Sequence, residues 1–150
     1  MKKLPMPKSE FLSLAWSLRK IDFFCSLSPD QVQELFPGIL LTEYQPGEII
    51  CKQGDPGDAL YILKSGRLVI EVKKGWFRSA AQVGVLGAGE VFGELALLSS
   101  QPRAATIRAT EASQVYALLQ ADFWRALDRS PAFDLEVRKV AERRKLRMQR

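Results

Sequence analysis

The chain has 150 residues, 47% of them hydrophobic, which suits one domain with a sizeable core and leaves no room for a second. No apolar run approaches the roughly 20 residues that span a bilayer, and the start from Met1 to Pro7 lacks the apolar stretch of a signal peptide, so a cytoplasmic protein is expected. The absence of histidine removes the commonest general base and the usual zinc ligand, so neither catalysis nor a metal or cofactor site is expected.

Along the chain, Phe11, Leu12, Leu14, Ala15, Trp16 and Leu18 crowd a helical period and predict a helix over about 8–20 with one broad apolar face. A second helix starts at Leu27-Ser28-Pro29-Asp30-Gln31-Val32. Ser28 is placed to cap it, Pro29 suits the first position, Gln31 reaches back, and Leu27 can touch Val32; the helix ends by Phe36, because Pro37-Gly38 cannot continue it. Cys25 and Cys51 have no cysteine or histidine close by and are read as packing residues. These residues, 1–37, form an N-terminal helical segment.

From Gly38 onward the pattern changes to short aliphatic or β-branched runs punctuated by glycine turns. The predicted strands are Leu40–Gln45, Glu48–Lys52, Ala59–Lys64, Arg67–Lys73, Ala81–Leu86, Ala104–Ala109 and Gln114–Leu119, at the spacing of a sandwich or barrel. Leu68, Ile70 and Val72 alternate with Arg67, Val69, Glu71 and Lys73, so one face of that strand should line an interior. The expected fold is mainly β with flanking α-helices: an eight-stranded antiparallel β-roll of jelly-roll type over 38–119, followed by helices over 120–150. The first of these runs from Gln120 to Arg129 with Phe123, Trp124 and Leu127. The second is capped by Ser130-Pro131 and carries a stripe of Phe133, Val137, Val140 and Ala141. The net charge of +5 belongs to its end: Arg138 to Arg150 holds seven basic residues and one acid, a local +6 that leaves −1 for the rest. Its plain reading is a solvated helix terminus whose cations suit the helix dipole; the functional one is contact with nucleic acid, anionic lipid or an acidic partner, although no aromatic residues interleave for base stacking.

Within the roll, the segment 92–106 carries chemistry. Gly93 allows close approach of backbone to a ligand, and a helix turn starting there aims N–H groups at negative charge. Arg103, flanked by the small Ala104 and Ala105, can meet the same anion with its planar fork of donors. Glu94 would repel a free phosphate, but it can accept from a hydroxyl on the same ligand, which points to a sugar phosphate. The plain alternatives are an exposed strand arginine and a glutamate that merely favours a helix N-terminus.

The run Phe92-Gly93-Glu94-Leu95-Ala96-Leu97, then Pro102-Arg103-Ala104-Ala105, resembles the phosphate-binding cassette of cyclic nucleotide-binding domains. That family includes regulatory subunits of cyclic-AMP-dependent protein kinase, cyclic nucleotide-gated channels and the bacterial catabolite activator protein. The turns Gln53 to Asp58 and Lys64-Ser65-Gly66, and the strand Ala59 to Leu63, are similar too, so the resemblance covers about Leu18 to Arg143. It implies that Gly93, Leu95 and Ala96 offer backbone donors, Glu94 binds the ribose 2′-hydroxyl, and Arg103 pairs with the cyclic phosphate, aided by the Ala104 N–H. Ile70 and Leu86 would be the roll side chains touching base or ribose, with plain core packing as their other reading. Members preferring cyclic GMP tend to carry threonine or serine directly after the arginine. Alanine at 104, with Thr106 two residues further on, therefore implies cyclic AMP over cyclic GMP.

By this resemblance the chain is a sensor or regulatory module, not an enzyme, whose hinge and lid helices over 120–150 close on the nucleotide and signal to a protein effector or through self-association. The family's transcription factors carry a helix-turn-helix after the lid helix, which this chain is too short to include, so nucleic acid is not an expected partner. It would be a stand-alone receptor or the sensory part of a longer transcription regulator, kinase regulator or channel. An interaction module that kept the fold and lost the ligand is the rival reading. A cupin-like enzyme would share the small barrel but needs a histidine-rich metal cluster.

Overall fold

The structure is a computed structural model that describes residues 1–25, 27–35, 37–75, 79–99 and 101–144; the predicted helix end at Phe36, Ser100 and the basic residues 145–150 lie outside them. Nine strands occur among the described residues: β1 (Lys2–Leu4), β2 (Leu40–Tyr44), β3 (Ile49–Cys51), β4 (Ala59–Ser65), β5 (Leu68–Val72), β6 (Ala81–Leu86), β7 (Val91–Phe92), β8 (Thr106–Ala109) and β9 (Ser113–Leu119). They form a five-stranded sheet, β1-β2-β9-β4-β7, and a four-stranded sheet, β3-β8-β5-β6, with antiparallel pairing throughout. The helices are α1 (Phe11–Leu18), α2 (Pro29–Leu35), α3 (Leu95–Leu98), α4 (Gln120–Arg129) and α5 (Pro131–Arg143).

Seven strands match the expected ones to within two residues at either end. The additions are β1 and β7, which local pattern does not announce. Two of the three residues of β1 are lysines, and the strand exists because Lys2 to Leu4 pair with Glu43 to Leu41. Only two residues make up β7, which pairs with Tyr61 and Ile62 of β4.

The five-stranded sheet is the partition of the molecule. In β4, Leu60 and Ile62 pack on the helical side, while Tyr61 and Leu63 turn into the roll; in β9, Tyr116 and Leu118 oppose Val115 in the same way. The helical side is closed by α1, α2, α4 and α5 around Phe23, Phe24, Phe123 and Phe133, whose ring centroids lie 4.7 to 6.2 Å apart. The roll interior holds a smaller cluster with Leu63, Leu68, Phe92, Ile107 and Val115. Between β4 and β5 the hairpin crosses tightly: Gly66 has φ +102°, and a Cβ there would lie 2.2 Å from Ser113 Oγ.

The predicted caps form as chemistry requires. Ser28 N–H donates to Gln31 Oε1 at 2.8 Å and Gln31 N–H to Ser28 Oγ at 3.2 Å, a reciprocal capping box, with Leu27 and Val32 both buried. At α5, Ser130 Oγ accepts from Phe133 N–H at 3.4 Å, and the stripe Phe133, Val137, Val140, Ala141 is buried.

Three expectations are corrected. The apolar residues of α1 do not share one face: Leu14, Ala15 and Leu18 are buried, whereas Leu12 and Trp16 are exposed, because the arc they span is wider than the contact the core offers. Cys25 is exposed, following the 3-10 turn Asp22–Phe24 with its carbonyl taken by Arg19 Nε. Val69, assigned outward with Arg67, is buried, since β5 lies between β8 and β6 in its sheet.

Candidate functional site

Arg103 is placed by its main chain before its side chain acts. Segment 101–103 pairs with the loop 54–57: Gly57 N–H donates to the Gln101 carbonyl at 3.3 Å, Arg103 N–H to Asp55 at 2.8 Å, and Gly54 N–H to Arg103 at 2.9 Å. Pro56 and Pro102 bridge between the same two segments. Proline at 102 fixes the approach of this pairing without losing a needed donor.

The Arg103 side chain is 9% exposed. Its Nη2 donates to the Ala59 carbonyl at 2.7 Å, and its Cζ lies 5.4 Å from the centre of the Tyr61 ring, which stacks on Phe92 at 5.1 Å. Asp58 Oδ1 stands 3.8 Å from Nη2, but that carboxylate is 75% exposed and largely screened by water. Gly93 makes the arrangement possible. Its φ is +77°, and a Cβ on it would sit 2.4 Å from Arg103 Nη1 and 3.0 Å from the Ala59 carbonyl oxygen, so a side chain here would expel the guanidinium.

Beside Arg103 and Gly93 lies a cavity of about 300 Å³, the lower end of the range for small-molecule sites, while Asp58 and Tyr61 border a separate one that Arg103 also lines. Gly93, Glu94, Leu95, Ala96, Arg103, Ala104 and Ala105 all line the 300 Å³ cavity, seven of the nine residues singled out from sequence. Ile70 and Leu86 are not among its lining; Leu86 is buried in the roll cluster and Ile70 packs against it. The remaining wall includes Cys51, Phe92 and Ile107. Burial pushes the Cys51 thiol and the Tyr61 hydroxyl above their ordinary pKa, and the positive charge of Arg103 pulls each partly back.

Opposite in character is Glu94, at the N-terminal end of α3. It is half-buried, and its carboxylate has no hydrogen bond or ion pair among the described residues. It also borders a further cavity of about 320 Å³, shared with Lys20, Ile21, Glu90, Val91 and Arg144. The Ala96 N–H, an anticipated ligand donor, donates to the Gly93 carbonyl at 3.0 Å. One wall of the first cavity thus offers a buried cation and another a free carboxylate acceptor, which together suit a ligand bearing both an anion and a hydroxyl.

Sequence reasoning missed Asp58 and Tyr61 beside Arg103, and Cys51 and Ile107 in the lining. Asp58 had one signal, a lone acid directly before the apolar run of β4. Nothing local marked the others, because their role depends on pairing β3 and β4 with segments about 40 or more residues away. No residue of α5 lines the cavity among those described: α5 packs on α4 and the turn Asp22–Phe24, and Arg144 at its end donates to Asp22 Oδ1 at 2.7 Å.

The sequence model of the cyclic nucleotide-binding domain matches residues 41–130. A cGMP-dependent protein kinase of Eimeria tenella is 42% identical over 94 residues, covering 63% of this chain and 9% of the relative. The type II regulatory subunit of cAMP-dependent protein kinase from Drosophila melanogaster is 30% identical over 126 residues, covering 84% of this chain and 32% of the relative. The chain therefore spans a third or less of the length of these two relatives. Among solved structures, the regulatory domain of Toxoplasma gondii cAMP-dependent protein kinase with cAMP superposes with a TM-score of 0.69 at 27% identity, covering 90% of this chain and 50% of that one.

Proposed function

The chain belongs to the cyclic nucleotide-binding domain family, and from that premise we propose that it is a non-catalytic receptor for cyclic AMP whose C-terminal helices relay occupancy. One observation carries the reading: a 9% exposed Arg103 and an unengaged Glu94 line the same 300 Å³ cavity. In this reading Arg103 pairs with the cyclic phosphate, which Ala104 N–H also contacts. The backbone of Gly93 and Leu95 supplies further donors, that of Ala96 does so by giving up its bond to the Gly93 carbonyl, and Glu94 accepts from the ribose 2′-hydroxyl. Residues 38–119 are the receiving roll, 1–37 its N-terminal helical support, and 120–150 the hinge and lid. Its output is a protein effector or a second copy.

Base preference is argued from hydroxyls. Family members that prefer cyclic GMP tend to carry threonine or serine directly after the phosphate-binding arginine, and Ala104 has no hydroxyl. Thr106 does not substitute, since its Oγ1 accepts from Gln53 N–H at 3.0 Å and it is not part of the lining. Among the described residues no serine, threonine or tyrosine lines the cavity. Calorimetric titration tests both parts: cyclic AMP should bind, and cyclic GMP should bind at least tenfold more weakly. Heat from neither nucleotide would overturn the receptor reading, and tighter cyclic GMP would overturn only the preference.

A further inference from the structure

We propose that Gln120, the first residue of α4, is the positioning residue that ties the cassette helix α3 to the C-terminal helices; the relay it serves rests on the cyclic nucleotide reading above. Two bonds converge on it. Its carboxamide Nε2 donates to the Ala96 carbonyl at 2.8 Å, and its backbone N–H donates to the Asp58 carbonyl at 2.8 Å. Ala96 lines the cavity, and Asp58 is the acid facing Arg103. A single residue of α4, itself outside the cavity lining, is therefore bonded both to a residue that lines the cavity and to the acid beside Arg103.

Neighbouring packing makes this bond a lever. On one flank α3 is pressed against Gly57, where a Cβ would stand 3.0 Å from Ala96 Cβ and 3.0 Å from the Gln101 carbonyl oxygen. Only a glycine at 57 lets α3 pack this close to that loop. Gln120 holds the helix through Ala96, and the remainder of α4 is fixed in the helical core by Phe123, Ala126 and Leu127. Because α3 is only four residues long, its own hydrogen bonds do little to hold it. Any shift of the Ala96 peptide toward a ligand must stretch the 2.8 Å bond or carry the start of α4 with it, and α5 follows directly after α4.

The test uses Gln120→Met, which keeps length and removes the donor, and Gln120→Lys, which restores a donor. Amide exchange is read across 93–99 and 120–143 with and without cyclic AMP, beside calorimetric titration. In the nucleotide-free protein, Gln120→Met should speed exchange of the 93–99 amides three- to tenfold while β9 is unchanged. With cyclic AMP it should abolish the nucleotide-induced change in 131–143, and Gln120→Lys should restore both. A residue of merely structural role would lower melting temperature yet leave that nucleotide-induced difference intact, and this outcome overturns the relay. Exchange across 93–99 equal to the parent's overturns the positioning itself. If the parent bound no cyclic nucleotide, the receptor reading and its relay would both fail, while the nucleotide-free exchange would still decide whether Gln120 holds α3.

Discussion

The two sides of the five-stranded sheet are built on opposite terms. On the helical side, aromatic rings and aliphatic chains fill one continuous cluster in which Phe24, Val32, Phe123 and Val137 are wholly buried. On the roll side the apolar cluster is smaller and opens into a cavity, and the groups that border that opening include a buried guanidinium and a carboxylate. Burial of an aromatic side chain contributes stability whatever else is bound, whereas a charge held at a cavity wall contributes little until a ligand of opposite character arrives. Stability should therefore reside on one side and recognition on the other.

The largest effects break this division from both directions. Phe123→Ala should cost about 3–5 kcal/mol of folding stability, lowering the melting temperature on the order of 10 °C for a domain of this size, and should leave the affinity for cyclic AMP near the parent value. Arg103→Ala should reverse the pattern. If Arg103 pairs with the phosphate as proposed, removing the cation leaves that phosphate uncompensated, a loss of roughly 3–5 kcal/mol or two to three and a half decades in dissociation constant. Its folding cost should stay within the roughly 1.5–3 kcal/mol of one charge-assisted hydrogen bond, that to the Ala59 carbonyl. Differential scanning calorimetry and nucleotide titration on both variants check the crossing of effects. Equal losses of affinity in the two would show that the sheet does not separate the functions.

A smaller effect sharpens the comparison within the cavity itself. Arg103 is anchored by a carbonyl, a ring and its own paired main chain, while Glu94 has no partner among the described residues. Glu94→Gln keeps shape and an acceptor but would lose the proposed charge-assisted bond to a ribose hydroxyl, so affinity should fall by about 1–2 kcal/mol, roughly five- to thirtyfold. The melting temperature without nucleotide should not change. A deoxyribose analogue separates the contributions, because parent and variant should bind 2′-deoxy cyclic AMP alike.

How much of this was legible in sequence follows from where each cause lies. The cassette was readable because its requirements are local and severe: only glycine tolerates the approach at 93, and Pro102 and Arg103 sit side by side. Caps at Ser28 and Ser130 were readable for the same reason, since a cap and its partner are three residues apart. Asp58 and Arg103 are 45 positions apart, and nothing in either neighbourhood states that the loop 54–57 will pair with 101–103. Strand β1 runs against its local composition, and β7 is too short to show a period. Leu12 and Trp16 look like core in a helical projection and are excluded by the shape of the surface that α1 meets. Periodicity reports what can be buried, and the partner decides what is.

The smallest expected effect lies wholly on the helical side. Glu10, in the turn before α1, accepts from Tyr116 Oη at 2.5 Å and pairs with Lys64 Nζ, tying the N-terminal segment to β9 and β4. Burial pushes its carboxyl up, but the bonds from Lys64 and Tyr116 and the charge of Lys64 outweigh that and leave its pKa below the ordinary 4.5. A depressed folded pKa means that its contribution is present above the unfolded value and is lost as pH falls through the lower folded one. Glu10→Gln should thus cost no more than about 1 kcal/mol at pH 7, and urea melts of parent and variant should converge as the pH is lowered from 5 toward 3. Since no residue of this cluster lines the cavity, cyclic AMP affinity at pH 7 should be the same in both proteins. A matching loss of affinity would mean that the N-terminal segment is coupled to the cassette, and the line between the two halves would have to be redrawn through β4 instead of along it.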